Sequence, residues 1–175
     1  MGLLWRSHLL IRVRKHMYLP LDALDGLLGV TGVEFHAIQH DLQPEERAFC
    51  DTRGILVRDD VDLFNDFEGM SDYLATLDLV IGISSVPAEL AAALGVPVWF
   101  LGFSPENHFL RTVGGRTEID QLTVNARVIT APDIDFTEPA GICIAKTLGE
   151  VRRRLEKRIA ARSHPVCRAA AESLR

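Results

Sequence analysis

Cysteine is scarce in this chain. Cys50, Cys143 and Cys167 are the only three in 175 residues, and no two form a CxxC pair. An odd number at wide spacing excludes a disulfide framework and a cysteine metal cluster, and it fits a reducing, cytoplasmic setting. Long apolar runs are also missing: none approaches the ~18 residues of a membrane span. The opening MGLLWRSHLL is broken by Arg6 and followed by further arginines, not by a small-residue cleavage site, so it reads as a strand and not as a signal peptide. There is no GxGxxG fingerprint and no GxxxxGK[ST] loop, which leaves nicotinamide dinucleotides and P-loop chemistry without support. Excess positive charge is absent as well. A formal net charge of -5 argues against nucleic acid as a partner.

What is present describes one ordinary globular domain. Hydrophobic residues make up 47% and charged residues 25% of the chain, enough for a single well-formed core. Charge is segregated along it. Residues 1–18 carry Arg6, Arg12, Arg14 and Lys15 with no acid, residues 41–78 are strongly acidic, and the stretch from Lys146 onward is basic again. A basic loop in an acidic protein suits a small anionic ligand better than a long polyanion.

Strand-like and helix-like segments alternate. Strands are expected at 2–5, 33–38, 55–57, 79–83, 98–103 and 124–130. Helical spacing marks 21–28, 44–52, 64–77, 86–94 and 142–161, with Gly29 and Gly95 as stops. Residues 104–122 form a long connection, and such connections in compact domains are often functional. This alternation predicts an α/β fold, a doubly wound parallel sheet of Rossmann-like type, because parallel strands need crossovers and lose the alternating pattern when buried on both faces. Residues 1–162 are assigned to this single domain and 163–175 to a C-terminal tail.

In an open parallel sheet, ligands bind beyond the carboxyl ends of the strands. Ser84 and Ser85 fall where the strand at 79–83 hands over to a helix opening at Val86, so hydroxyls, free N–H groups and the positive end of a helix dipole meet there. Serine is equally a favoured helix cap, and both readings stay open on these residues alone. Arg6 and Ser7 follow the first strand and reach the same edge, as do Gln39 and His40 after the second. Arg6 suits a forked contact to a diphosphate or an exposed place in the loop. His36, inside a strand, reads as a packed or exposed histidine. Asp62, Asn65 and Asp66 precede a helix, and Asn65 or Asp66 could simply cap it.

Taken in order, Leu4-Trp5-Arg6-Ser7, Ile38-Gln39, Asp62-Leu63-Phe64-Asn65-Asp66 and the stretch LDLVIGISSVPAELAAALGVPVW resemble the C-terminal nucleotide-sugar-binding half of GT-B glycosyltransferases. The match is to the heptosyltransferase-like domain that often follows tetratricopeptide repeats in bacterial proteins, and it covers residues 1 to about 103. The resemblance implies that Arg6, Ser7, Ser84, Ser85 and Val86 contact the diphosphate of a UDP- or ADP-type sugar donor. It places Gln39, Asp62 and Asn65 near the base or ribose. It implies no metal and no further cofactor, and it makes a separate N-terminal GT-B domain or helical-repeat region the expected partner. The chain differs from the family pattern at Ser84-Ser85, where Asp-Thr is common, at Glu89, where histidine is common, at His8 in place of glycine, and in Ser-Pro-Glu-Asn-His after the next strand. A carboxylate at Glu89 facing the ligand would repel a diphosphate. The alternative is therefore a non-catalytic GT-B-like module used for interaction or scaffolding.

Overall fold

The computed structural model describes residues 1–7, 17–113, 115 and 117–162. The basic cluster Arg12, Arg14 and Lys15, together with His8 and the tail at 163–175, lies outside the described residues. Six strands, β1 (Gly2–Leu4), β2 (His36–Ala37), β3 (Leu56–Val57), β4 (Val80–Gly82), β5 (Val98–Leu101) and β6 (Ala126–Ile129), form one sheet in the order β3-β2-β1-β4-β5-β6. Every named pair is parallel. The order reverses between β1 and β4. Since crossovers are right-handed, the helices that connect strands within the two halves cover opposite faces.

The helices are α1 (Asp25–Leu28), α2 (Pro44–Arg53), α3 (Phe67–Ala75), α4 (Val86–Ala93), α5 (Pro105–Arg111) and α6 (Ala140–Arg162). Helix α1 packs with α6, and α3 packs with α4. The central strands are apolar throughout. Leu3, Leu4, Val80, Ile81, Val98 and Phe100 are all buried, as a sheet covered on both faces requires. Among the described residues no helix is long and apolar enough to cross a membrane.

Two expectations change. Helix α3 begins at Phe67, not at 64, because Asp62 Oδ1 accepts the N–H groups of both Phe64 and Asn65, which folds 62–65 into a turn. Asp66 then caps the helix through the Gly69 N–H at 2.8 Å. The stretch at 104–122 is also not wholly irregular. Ser104 caps α5 by accepting the Asn107 N–H, and Pro105 occupies the first turn, where its missing N–H costs nothing. Ser-Pro-Glu is a helix-start signal that the reading of 104–122 as a long connection passed over.

Gly82 pairs with Leu4 at the carboxyl ends of β4 and β1. A Cβ there would lie 2.2 Å from the Leu4 carbonyl oxygen, so only glycine lets the two strands meet at the switch point. His36 sits at the opposite, amino-terminal edge of the sheet. Its ring nitrogens are engaged by the Tyr73 hydroxyl at 2.9 Å and by Glu34 at 2.8 Å, which makes it a packed histidine.

Candidate functional site

The carboxyl ends of β1, β2 and β4 open onto a mostly apolar cavity of about 270 Å³ at the point where strand order reverses. Leu4 ends β1, Gln39 and His40 follow β2, Leu63, Phe64 and Phe67 come from the turn before α3, and Ser85, Val86 and Pro87 open α4. The His40 and Phe64 rings are stacked, with centroids 4.4 Å apart and planes 14° from parallel. Phe64, Phe67 and Val86 keep half or more of their surface exposed, so an apolar, ring-lined wall faces outward.

The serine pair divides. Ser85 stands at the cap position of α4 with φ -157 and ψ 164, and its side chain makes no capping hydrogen bond. Extended backbone sends successive side chains to opposite sides. Ser85 consequently lines the cavity, whereas Ser84 turns the other way and donates to Glu89 Oε1 at 2.8 Å.

Arg6 is buried and committed. Its Nε and Nη2 fork onto Glu46 at 2.5 Å each, and Nη2 also donates to the Asp41 carbonyl at 2.6 Å. Glu46 further accepts the Trp5 indole N–H and the Gln43 backbone N–H, both at 2.8 Å. The second of these is the reach-back half of a capping box that starts α2. Burial pushes the Glu46 carboxyl up, but the hydrogen bonds from Arg6, Gln43 and Trp5 outweigh it and leave the group below its ordinary range. Gln39 accepts the Arg6 backbone N–H at 3.1 Å while also lining the cavity.

Of the remaining sequence candidates, Ser7 shares a hydrogen bond with the Tyr18 hydroxyl at 2.8 Å. Asp62 and Asn65 bond each other at 2.9 Å, and Asp62 borders an adjoining concavity that shares Gln39, His40 and Leu63 with the first. The fold therefore brings Gln39, Ser85 and Val86 together on the cavity. Arg6, Ser7 and Ser84 are held in neighbouring networks, and Asp62 and Asn65 shape the turn that presents Phe64.

Sequence reasoning missed the counter-ions. Arg111, in α5, donates from Nε to Asp120 at 2.6 Å and from Nη1 and Nη2 to Glu89 at 2.7 and 3.1 Å, with its guanidinium carbon 3.9 Å above the Phe100 ring. Glu89 is thus not a lone negative charge: it shares Arg111 with the buried Asp120. Arg47 and Arg58 are likewise held by Asp59 and Asp60. No spacing rule links positions 6 with 46 or 89 with 111, so only the folded chain reveals these pairs. Further along the edge, His108 bonds Thr130 Oγ1 at 2.9 Å, and burial lowers its pKa.

No protein-family model matches the chain, and no solved structure matches it. One curated protein does, Protein FlbA of Caulobacter vibrioides, 33% identical over 103 residues. The chain is a distant relative of part of FlbA. The aligned stretch makes up 57% of this chain and 17% of FlbA, so the shared region spans about a sixth of that protein's length.

Proposed function

We propose that this domain binds a nucleotide-sugar and serves as the donor-binding half of a GT-B-type glycosyltransferase, completed by an N-terminal domain. One observation carries the reading: the apolar, ring-lined cavity at the switch point of a Rossmann-like sheet, where Ser85 and the start of α4 meet the stacked His40 and Phe64. A planar base suits that wall, since a flat aromatic surface stacks on any base with little sequence demand. The diphosphate would then lie toward the first turn of α4, where free N–H groups and the helix dipole favour negative charge. Electrostatic stabilisation of a leaving diphosphate at this position needs no metal.

A second reading, a non-catalytic module of the same fold, draws on a different observation. The arginines described around this edge, Arg6, Arg47, Arg58 and Arg111, are each matched by carboxylates. Thermal denaturation with uridine, adenosine, UDP and ADP separates the two. The donor-binding reading expects UDP or ADP to raise the melting temperature well beyond the matching nucleoside. Equal protection by nucleoside and diphosphate selects the non-catalytic module. No shift with any of the four at millimolar concentration overturns nucleotide binding altogether.

A further inference from the structure

Beside the cavity, Glu89 occupies an unusual seat. Its carboxylate receives three bonds, two from the Arg111 fork and one from the Ser84 hydroxyl, which is the donor set that a phosphate oxygen pair would also take. The three charged groups are not equally anchored. Asp120 has a side chain with 0% exposure, and besides Arg111 it accepts the backbone N–H groups of Leu122 and Thr123 at 2.8 and 2.9 Å. Arg111 is 8% exposed and lies over Phe100, whereas the Glu89 side chain is 37% exposed. Glu89 is the most exposed of the three and is bonded only through Arg111 and Ser84, whereas Asp120 is also held by two backbone N–H groups. The seat flanks the start of α4 from the other side: Ser84, which touches Glu89, and Ser85, which lines the cavity, are consecutive, with Cα atoms about 3.8 Å apart and hydroxyls on opposite sides.

We propose that Glu89 is an internal stand-in for an anionic group of the ligand, and that Arg111 is the specificity-determining cation that receives this group when Glu89 swings out. The ligand class, a nucleoside carrying a diphosphate, rests on the donor-binding reading above. With Glu89 in place, Arg111, Asp120 and Glu89 sum to one negative charge, and without it they are neutral. Glu89 therefore sets how strongly the site discriminates between a bare nucleoside and its diphosphate.

Calorimetric titration of the full chain with uridine, UDP, adenosine, ADP and inorganic pyrophosphate tests this in wild type, Glu89→Gln, Glu89→Ala and the double variant Glu89→Ala/Arg111→Gln. Removing a like charge beside an incoming anion is expected to tighten diphosphate and pyrophosphate binding about tenfold or more in the Glu89 variants. Nucleoside affinity should stay within about twofold, and the gain should vanish in the double variant. Circular dichroism of each variant verifies that it is folded, and the Glu89 single variants decide the question if the double variant is not. Equal gains for nucleoside and diphosphate, or no gain for pyrophosphate, overturn the role of Glu89 and Arg111. Tighter pyrophosphate binding without any nucleoside binding upholds the anion seat and sinks the nucleotide reading instead.

Discussion

Truncating Glu46 tests a buried carboxylate near the site that accepts four hydrogen bonds. The Arg6–Glu46 pair is 7% exposed on both sides, so water screens it little. Replacing Glu46 by alanine leaves a buried guanidinium with, among the described residues, only carbonyl partners, at Asp41 and Ser7, and it orphans the Trp5 indole N–H and the Gln43 N–H. Breaking a buried pair by removing one partner costs about 3–5 kcal/mol. The lost indole bond and the lost reach-back to α2 overlap with that figure and are not added to it. A domain of this size loses roughly 2–4 °C of melting temperature per kcal/mol, so a fall of about 6–20 °C is expected. Urea denaturation followed by far-UV circular dichroism reads the free energy directly. The companion variant Arg6→Met/Glu46→Leu removes both charges together and should recover part of this loss, because no buried charge is left unpaired, while staying below wild type by about 1–3 kcal/mol because the Trp5 indole N–H still lacks an acceptor. The same carboxylate makes stability depend on pH. Its folded pKa is lowered, so its contribution is complete above the ordinary value of 4.5 and is lost as pH falls through the folded value. A Glu46→Ala variant within about 1 kcal/mol of wild type, or one that keeps the wild-type acid slope, would refute the assignment of Arg6 as a structural partner of Glu46.

Three further predictions concern the switch-point edge. Gly82→Ala should cost about 3 kcal/mol in urea denaturation, since the added methyl meets the Leu4 carbonyl and forces β1 from β4; a loss under about 1 kcal/mol would show that the strands yield freely. Phe64→Ala removes the ring stacked on His40 and should weaken nucleoside binding by roughly 1–3 kcal/mol, while stability holds because the residue is 51% exposed. Unchanged nucleoside affinity would move the base elsewhere. His108 has a pKa lowered by burial, so the unfolded chain binds the extra proton first: its contribution is complete above pH 6.5 and declines as pH falls below that value. His108→Gln should flatten the stability profile in that window, and an unaltered slope would assign it to another group.

The order of elements was legible because the signals are local. Continuous apolar runs at 79–83 and 98–103 are short enough to read as strands buried on both faces, and Gly95 and Pro97 bracket the turn between α4 and β5. Alternation with helices then required parallel pairing, and the sheet has six parallel strands. Local chemistry also pointed to residues at the carboxyl edge, of which Gln39, Ser85 and Val86 meet on the cavity.

Pairing across long loops was not legible. Trp5-Arg6 and Glu46 lie 40 or more positions apart, and Glu89 and Arg111 lie 22 apart, yet each set closes into a buried or half-buried network. Charge at a single position carries no record of its counter-ion. Arg6 alone reads as an anion ligand and Glu89 alone as a repulsive charge, and the tertiary structure changes both meanings by supplying the partner. The direction of Ser84 and Ser85 was decided in the same way, because one extended residue at the strand–helix junction sends their hydroxyls to opposite sides. From its own pattern the sequence determined the sheet, its parallel sense and the edge at which the cavity opens. The folded chain decided which charges at that edge are already answered, since short-range electrostatics depends on distances that only packing sets.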